Sequence, residues 1–185
     1  MTRGKMIDLA PSEHAVSVND TNLSTTSAEG KSLFLQTGAV FVSDEPCIVS
    51  TVLGSCVSVC LWDRRRRVGG MNHFQQPGGD HPDFLAGPQA MQHLLQRMFR
   101  LGCQRNHLHA LLFGGAQLLS AFVGVNDVGA DNVAVARRTL DDVGVAVVYL
   151  HVGGTCARKL FFRTDTGGYA VKLLSRGAPT GTSGD

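Results

Sequence analysis

Cys56 lies in Val52–Trp62, VLGSCVSVCLW, and His73 follows seventeen residues later in Gly69–Phe74, GGMNHF. A thiol and an imidazole are the parts of a nucleophile and its base. The thiolate is the reactive form of cysteine, and a free thiol titrates near ~8.5. A ring nitrogen can take the thiol proton, and a third group can fix the ring and its tautomer. Leu53-Gly-Ser-Cys56 puts the cysteine where a strand breaks, so that its sulfur can face a cleft. Gly54 has no side chain to block a substrate. Backbone N–H groups freed from the ladder around Gly54 and Ser55 can hold an oxyanion. The competing reading of Cys56 is a packed core thiol, which is common. The residues alone leave both open.

The other candidates are weaker. There are five cysteines, an odd number, with no repeated C-x-x-C spacing to suggest a zinc site. Cys60 falls within an apolar run, Cys103 beside a helix end and Cys47 at a strand start, and all three read as packed. Among the seven histidines, His73 ends a strand among small residues and is the best placed for a cleft. His151 ends another strand before Gly153-Gly154. His107 and His109 form an H-x-H that reads as structural or surface, because no carboxylate or thiol stands close in sequence. His14 falls in an N-terminal extension, His81 in a Pro/Gly loop and His93 on the polar side of a helix.

The elements that must position the pair follow from periodicity. Cys47–Leu53, Val57–Trp62 and Val68–Phe74 read as strands, the last entered through the basic turn Arg64–Arg67. Pro77–Gly87 must be loop. Pro88–Leu101 carries an apolar stripe of Met91, Leu94, Leu95, Met98, Phe99 and Leu101, with Pro88 suited to its first turn and Gly102 to its stop. Leu108–Phe113 reads as a buried strand. Asn132–Val143 reads as a second helix, with Asp131 as N-cap and Gly144 as its stop. Val145–Val152 is a strand, and Arg158–Arg163 and Tyr169–Leu174 form a hairpin around TDTGG. Two helices among seven or more strands do not alternate as a doubly wound sheet does. They predict an α+β fold, mostly antiparallel, with helices on one face.

The chain has 185 residues, 43% of them hydrophobic, and a net charge of +2. One folded domain is expected over 34–176, with a mobile extension over 1–33 and a disordered tail over 177–185. The charge is too small to suggest nucleic acid, and the basic turn reads as a solvated loop. No apolar run reaches the ~20 residues that cross a bilayer. Free thiols and the absence of a leader pattern suggest a reduced, cytoplasmic protein.

TVLGSCVSVCLWD, GGMNHF, LLFGGAQLL, GADNV and VGGTCARKLFFRTDTGGYAVKLL stand in the order of a known family. Over residues 35–176 the chain resembles the CheD family, the chemoreceptor glutamine deamidases of bacterial chemotaxis. The resemblance implies a layered α/β/β sandwich with no metal or cofactor. It implies Cys56 as nucleophile and His73 as its base. The family's third member is a threonine six residues before the cysteine. That position is Ser50 here, with Thr51 beside it as the alternative orienting hydroxyl. A further departure is Asp131 in GADN, where the family commonly has arginine.

The implied reaction is that of a protein-glutamine glutaminase, a hydrolase. Receptor glutamine side chains become glutamate through a thioester, and the oxyanion is held by backbone around Gly54 and Ser55. Hydrolysis of receptor glutamate methyl esters is accessible to the same site. The implied substrate is the cytoplasmic domain of chemoreceptors. A CheC-type phosphatase is the implied partner, and the alternative reading is a regulatory module acting mainly through that complex. The basic turn and Phe84 are candidate contact features.

Overall fold

The computed structural model describes residues 31–78, 86–118 and 127–174. His14, His81, Phe84 and the tail over 177–185 lie outside them. The strands are β1 (Lys31–Phe34), β2 (Val40–Ser43), β3 (Cys47–Leu53), β4 (Val57–Asp63), β5 (Val68–Asn72), β6 (Leu108–Gly114), β7 (Ala146–Val152), β8 (Arg158–Arg163) and β9 (Tyr169–Leu173). The helices are α1 (Gly87–Arg100) and α2 (Val128–Val143), with a short 3-10 turn at Arg105–His107.

One sheet has the order β1-β3-β8-β9 and the other β2-β5-β4-β6-β7. Only β1/β3 and β6/β7 run parallel, and α2 makes the crossover between β6 and β7. Both helices pack on the outer face of the five-stranded sheet, burying Val57, Val59, Leu61, Phe74, Leu94, Met98, Leu112 and Leu140. Its inner face packs on the four-stranded sheet through Val49, Leu53, Cys60, Met71, Phe113, Leu160 and Phe162. The layers are therefore helix, sheet, sheet, as the sequence predicts.

Burial explains the patterns. β3 alternates, with Cys47, Val49, Thr51 and Leu53 buried and Ser50 and Val52 turned the other way. β4 and β5 are central and covered on both sides, so their residues are apolar or small nearly throughout. The α1 stripe is narrower than predicted: Met91, Leu94, Leu95 and Met98 are buried, while Phe99 and Leu101 remain exposed.

Several elements differ from expectation: β5 ends at Asn72 rather than Phe74, and β2 has no counterpart among the expected strands. Helix α2 begins at Val128, and its N-cap is Asp127, whose carboxylate accepts from the Ala130 N–H at 3.0 Å. Asp131 lies inside the helix. The cause is Gly129, which invites a loop reading but is required for contact: a Cβ there would come within 2.8 Å of the Gly115 backbone. The chain is also ordered into strand from Lys31, inside the stretch read as an extension. Lys31–Phe34 pairs in parallel with Cys47–Ser50. Its four residues are all exposed and carry no alternation, so nothing in the pattern announces a strand.

Candidate active site

Cys56 closes a three-residue break between β3 and β4, and each carbonyl of that break is tied down. The Gly54 carbonyl accepts from Ala116 N at 2.8 Å, and the Cys56 carbonyl accepts from Gly115 N at 2.8 Å. The Ser55 carbonyl accepts from the Asn132 side-chain amide at 3.1 Å. The approach of β6 is possible only because Gly114, at φ +109, has no Cβ; one would stand 2.1 Å from the Cys56 carbonyl oxygen. Gly54 also serves packing, since a Cβ there would meet the Leu118 side chain at 2.7 Å.

His73 follows β5 and is held from several sides. Its N–H donates to the Ala39 carbonyl, and its carbonyl accepts from Gly38 N. The ring Nδ1 lies 2.8 Å from Thr51 Oγ1. The Thr51 hydroxyl donates its only proton to the Leu35 carbonyl, at 2.8 Å. With the hydroxyl proton on Leu35, its oxygen accepts from the ring, an arrangement that puts the imidazole proton on Nδ1 and the lone pair on Nε2. Thr37 Oγ1 stands 3.4 Å from Nε2. The segment 35–39 thus leaves the four-stranded sheet, crosses to the other and braces the histidine on the way.

The register brings Cys56 and His73 to one face. β4 and β5 pair antiparallel through Cys60–Met71, and the isolated Val57–Phe74 bridge continues that register. One step outward sets Cys56 opposite Gln75, and one step inward sets Ser58 opposite His73. Cys56 and His73 are then diagonal neighbours, whose Cα atoms lie ~7–8 Å apart in such ladders, within reach of a ring. Asn72 adjusts the ladder between them: its Oδ1 accepts from Val59 N at 2.8 Å, and its own carbonyl accepts from the Ser58 hydroxyl. Both side chains face the inter-sheet layer, where Cys56 packs at the margin of the core.

Burial dominates the electrostatics. It raises the Cys56 thiol above its ordinary value of 9.0, opposed by the cysteine's own backbone N–H. It lowers His73 below its ordinary 6.5, opposed by the Leu35 carbonyl. Both shifts favour the uncharged forms of the two groups.

The third predicted member falls elsewhere. Ser50 points to the opposite face of β3, where its hydroxyl lies 3.5 Å from the Leu33 carbonyl. Thr51, the neighbour, makes the bond to His73. Strand alternation separates the two hydroxyls by a whole face, and no spacing rule reveals which one faces inward until the strand is paired. Sequence reasoning also missed Thr37, Asn72 and Asn132; the last two had a signal, since both lie in quoted blocks, GGMNHF and GADNV.

The remaining candidates are structural. Cys47, Cys60 and Cys103 are buried. His151 is bonded to Arg158, whose guanidinium also donates to the carbonyls of His151 and Gly153 and so holds the GGTC loop. His109 is exposed and His107 partly so. Among the described residues, no group of three or more His, Cys, Asp or Glu could hold a metal ion. The basic turn lies at the far end of β4 from Cys56, where Asp63 accepts from the N–H groups of Arg65 and Arg66.

Comparison with known proteins adds an independent finding. Residues 77–173 match the family model for CheD chemotactic sensory transduction, a span that begins after His73. The probable chemoreceptor glutamine deamidase CheD of Trichlorobacter lovleyi is 43% identical over 148 residues, covering 78% of this chain and 89% of that one. That of Anaeromyxobacter dehalogenans is 42% identical over 144 residues, covering 77% and 84%. That of a Caulobacter species, strain K31, is 38% identical over 167 residues, covering 80% and 87%. The crystal structure of a Neisseria meningitidis protein superposes with a TM-score of 0.42 at 13% identity, covering 68% of this chain and 65% of that one. By the family model and by these relatives, the chain belongs to the CheD family.

Proposed function

We propose that this protein is a protein-glutamine glutaminase that converts glutamine side chains of chemoreceptors to glutamate. The relatives named as chemoreceptor glutamine deamidases support the substrate. The observation that supports the chemistry is the contact of His73 Nδ1 with Thr51 Oγ1, beside a strand register that puts Cys56 and His73 on one face.

In the proposed cycle His73 Nε2 takes the Cys56 proton as the sulfur attacks the glutamine amide carbon. Backbone N–H groups of the Gly54–Cys56 break hold the oxyanion. The imidazolium then protonates the leaving nitrogen, ammonia departs and a thioester remains. His73 next takes a proton from water, hydroxide adds to the thioester, and the thiol leaves with its proton restored. Because burial favours the neutral form of each group, His73 works in this cycle as a general base at the moment of attack.

The receptor helix gains a carboxylate, a negative charge where a neutral amide stood. A cytoplasmic location accords with that substrate; among the described residues no helix is long and apolar enough to cross a membrane. The same resemblance suggests a CheC-type phosphatase partner, which co-purification with the Cys56→Ala protein would capture. The main test is mass spectrometry of a purified receptor cytoplasmic fragment after incubation. The expected result is glutamine-to-glutamate conversion by the wild type and none by Cys56→Ala. Full conversion by the variant overturns the reading.

A further inference from the structure

Asn132 is wholly buried in the second turn of α2 and touches neither sulfur nor imidazole in any bond described above. Its amide nitrogen donates to two backbone carbonyls: Ser55 at 3.1 Å, just before the nucleophile, and Gln75 at 2.9 Å, two residues beyond the base. Its own Oδ1 is buried and has no protein hydrogen-bond partner among the described residues. An orphan acceptor of this kind costs stability, by about 1–3 kcal/mol in general. An asparagine held there for packing alone would be better replaced by an apolar residue.

The geometry of the peptide unit gives the asparagine its purpose. A trans peptide is planar, and its C=O and N–H point in opposite directions. Fixing the Ser55 carbonyl against Asn132 therefore aims the Cys56 N–H the opposite way, away from α2. Fixing the Gly54 carbonyl on Ala116 N aims the Ser55 N–H in the same manner. Two successive N–H groups in the nucleophile's break are thus fixed in direction, one of them by a side chain rather than by a backbone group.

We infer that Asn132 is a positioning residue for the oxyanion site. It sets the Ser55–Cys56 peptide plane, and through Gln75 it ties the nucleophile's break to the segment that leaves His73. The inference rests on the deamidase reading for its natural substrate, but not for its test.

The test uses the full chain carrying Asn132→Ala, Asn132→Ser or Asn132→Asp. A p-nitrophenyl ester serves as a small acyl donor: the Cys56 sulfur takes the acyl group and p-nitrophenolate leaves as a measurable burst. The expected result is a burst rate about 10²-fold lower in Asn132→Ala, with the concentration for half-maximal rate changed less than about threefold. Asn132→Asp, which has no N–H to donate, falls at least as far, and Asn132→Ser, whose hydroxyl can serve one carbonyl, lies between. Rates are referred to folded protein by near-ultraviolet circular dichroism. If Asn132→Ala does not fold, the Ser and Asp variants decide by their order. Folded variants with bursts within about threefold of wild type, or a loss seen only in the half-maximal concentration, overturn the inference. A normal wild-type burst without receptor deamidation would overturn the proposed substrate and leave Asn132 to be judged by its variants.

Discussion

Cys56 and Cys60 lie four residues apart at one strand, face the same inter-sheet layer and share the same side chain. They differ in what surrounds the backbone. Cys60 sits where β4 is paired on both sides, to Met71 and to Leu111, and is fully buried, with its thiol raised well above the ordinary value by burial. Cys56 sits where the sheet opens, is partly exposed, has its carbonyls clamped from β6 and α2, and has an imidazole on the diagonal. The reactivity proposed for Cys56 rests on its place at the end of the ladder, not on the residue type.

The sharpest way to break that contrast is to remove the group that orients the imidazole. Thr51→Val keeps the shape but removes the acceptor of the Nδ1 proton. A fall in kcat of about 10²-fold on a receptor fragment is expected, with little change in KM. A kcat within about threefold would show that His73 needs no orienting partner. Next in size is pH dependence. His73 must be neutral to accept the thiol proton, and its pKa lies below 6.5. The acid limb of activity is therefore centred below pH 6.5. An acid limb centred above 6.5 contradicts the burial-dominated site.

Cys60→Ala sharpens the contrast from the other side. It should lower stability by about 1–2 kcal/mol in urea titration while leaving kcat unaltered. The smallest effect belongs to Ser50→Ala, which should leave kcat and stability within about twofold and ~0.5 kcal/mol of wild type, because that hydroxyl points away from the site. A large loss at Ser50 would return the orienting role to the position the resemblance gives it.

Much of this was legible in the residues. The strand from Cys47 to Leu53, read from its Val and Ile content, and that from Arg158 to Arg163, read from the TDTGG turn after it, match the structure residue for residue. The place of Cys56 at a strand end followed from the Gly54-Ser55 break beside it, whereas Gly69 and Gly70 before His73 are strand residues of β5. What stayed hidden depends on partners distant in the chain. Thr51 and Ser50 are both hydroxyls, and only the pairing of β3 with β8 decides which turns inward. The start of α2 was obscured because Gly129 is used for close approach to Gly115 rather than for a turn. Asn132 lies 77 positions from Ser55, and no local rule joins them.

The central claim is an imidazole at 73 whose Nε2 is free to accept a proton. Nitrogen-15 NMR of the histidine-labelled full chain at pH 7, with His73→Gln to assign the ring, tests it most directly. A neutral ring protonated on Nδ1 is the predicted result. A ring protonated on Nε2, unable to take the thiol proton, or an imidazolium at that pH, would contradict the account.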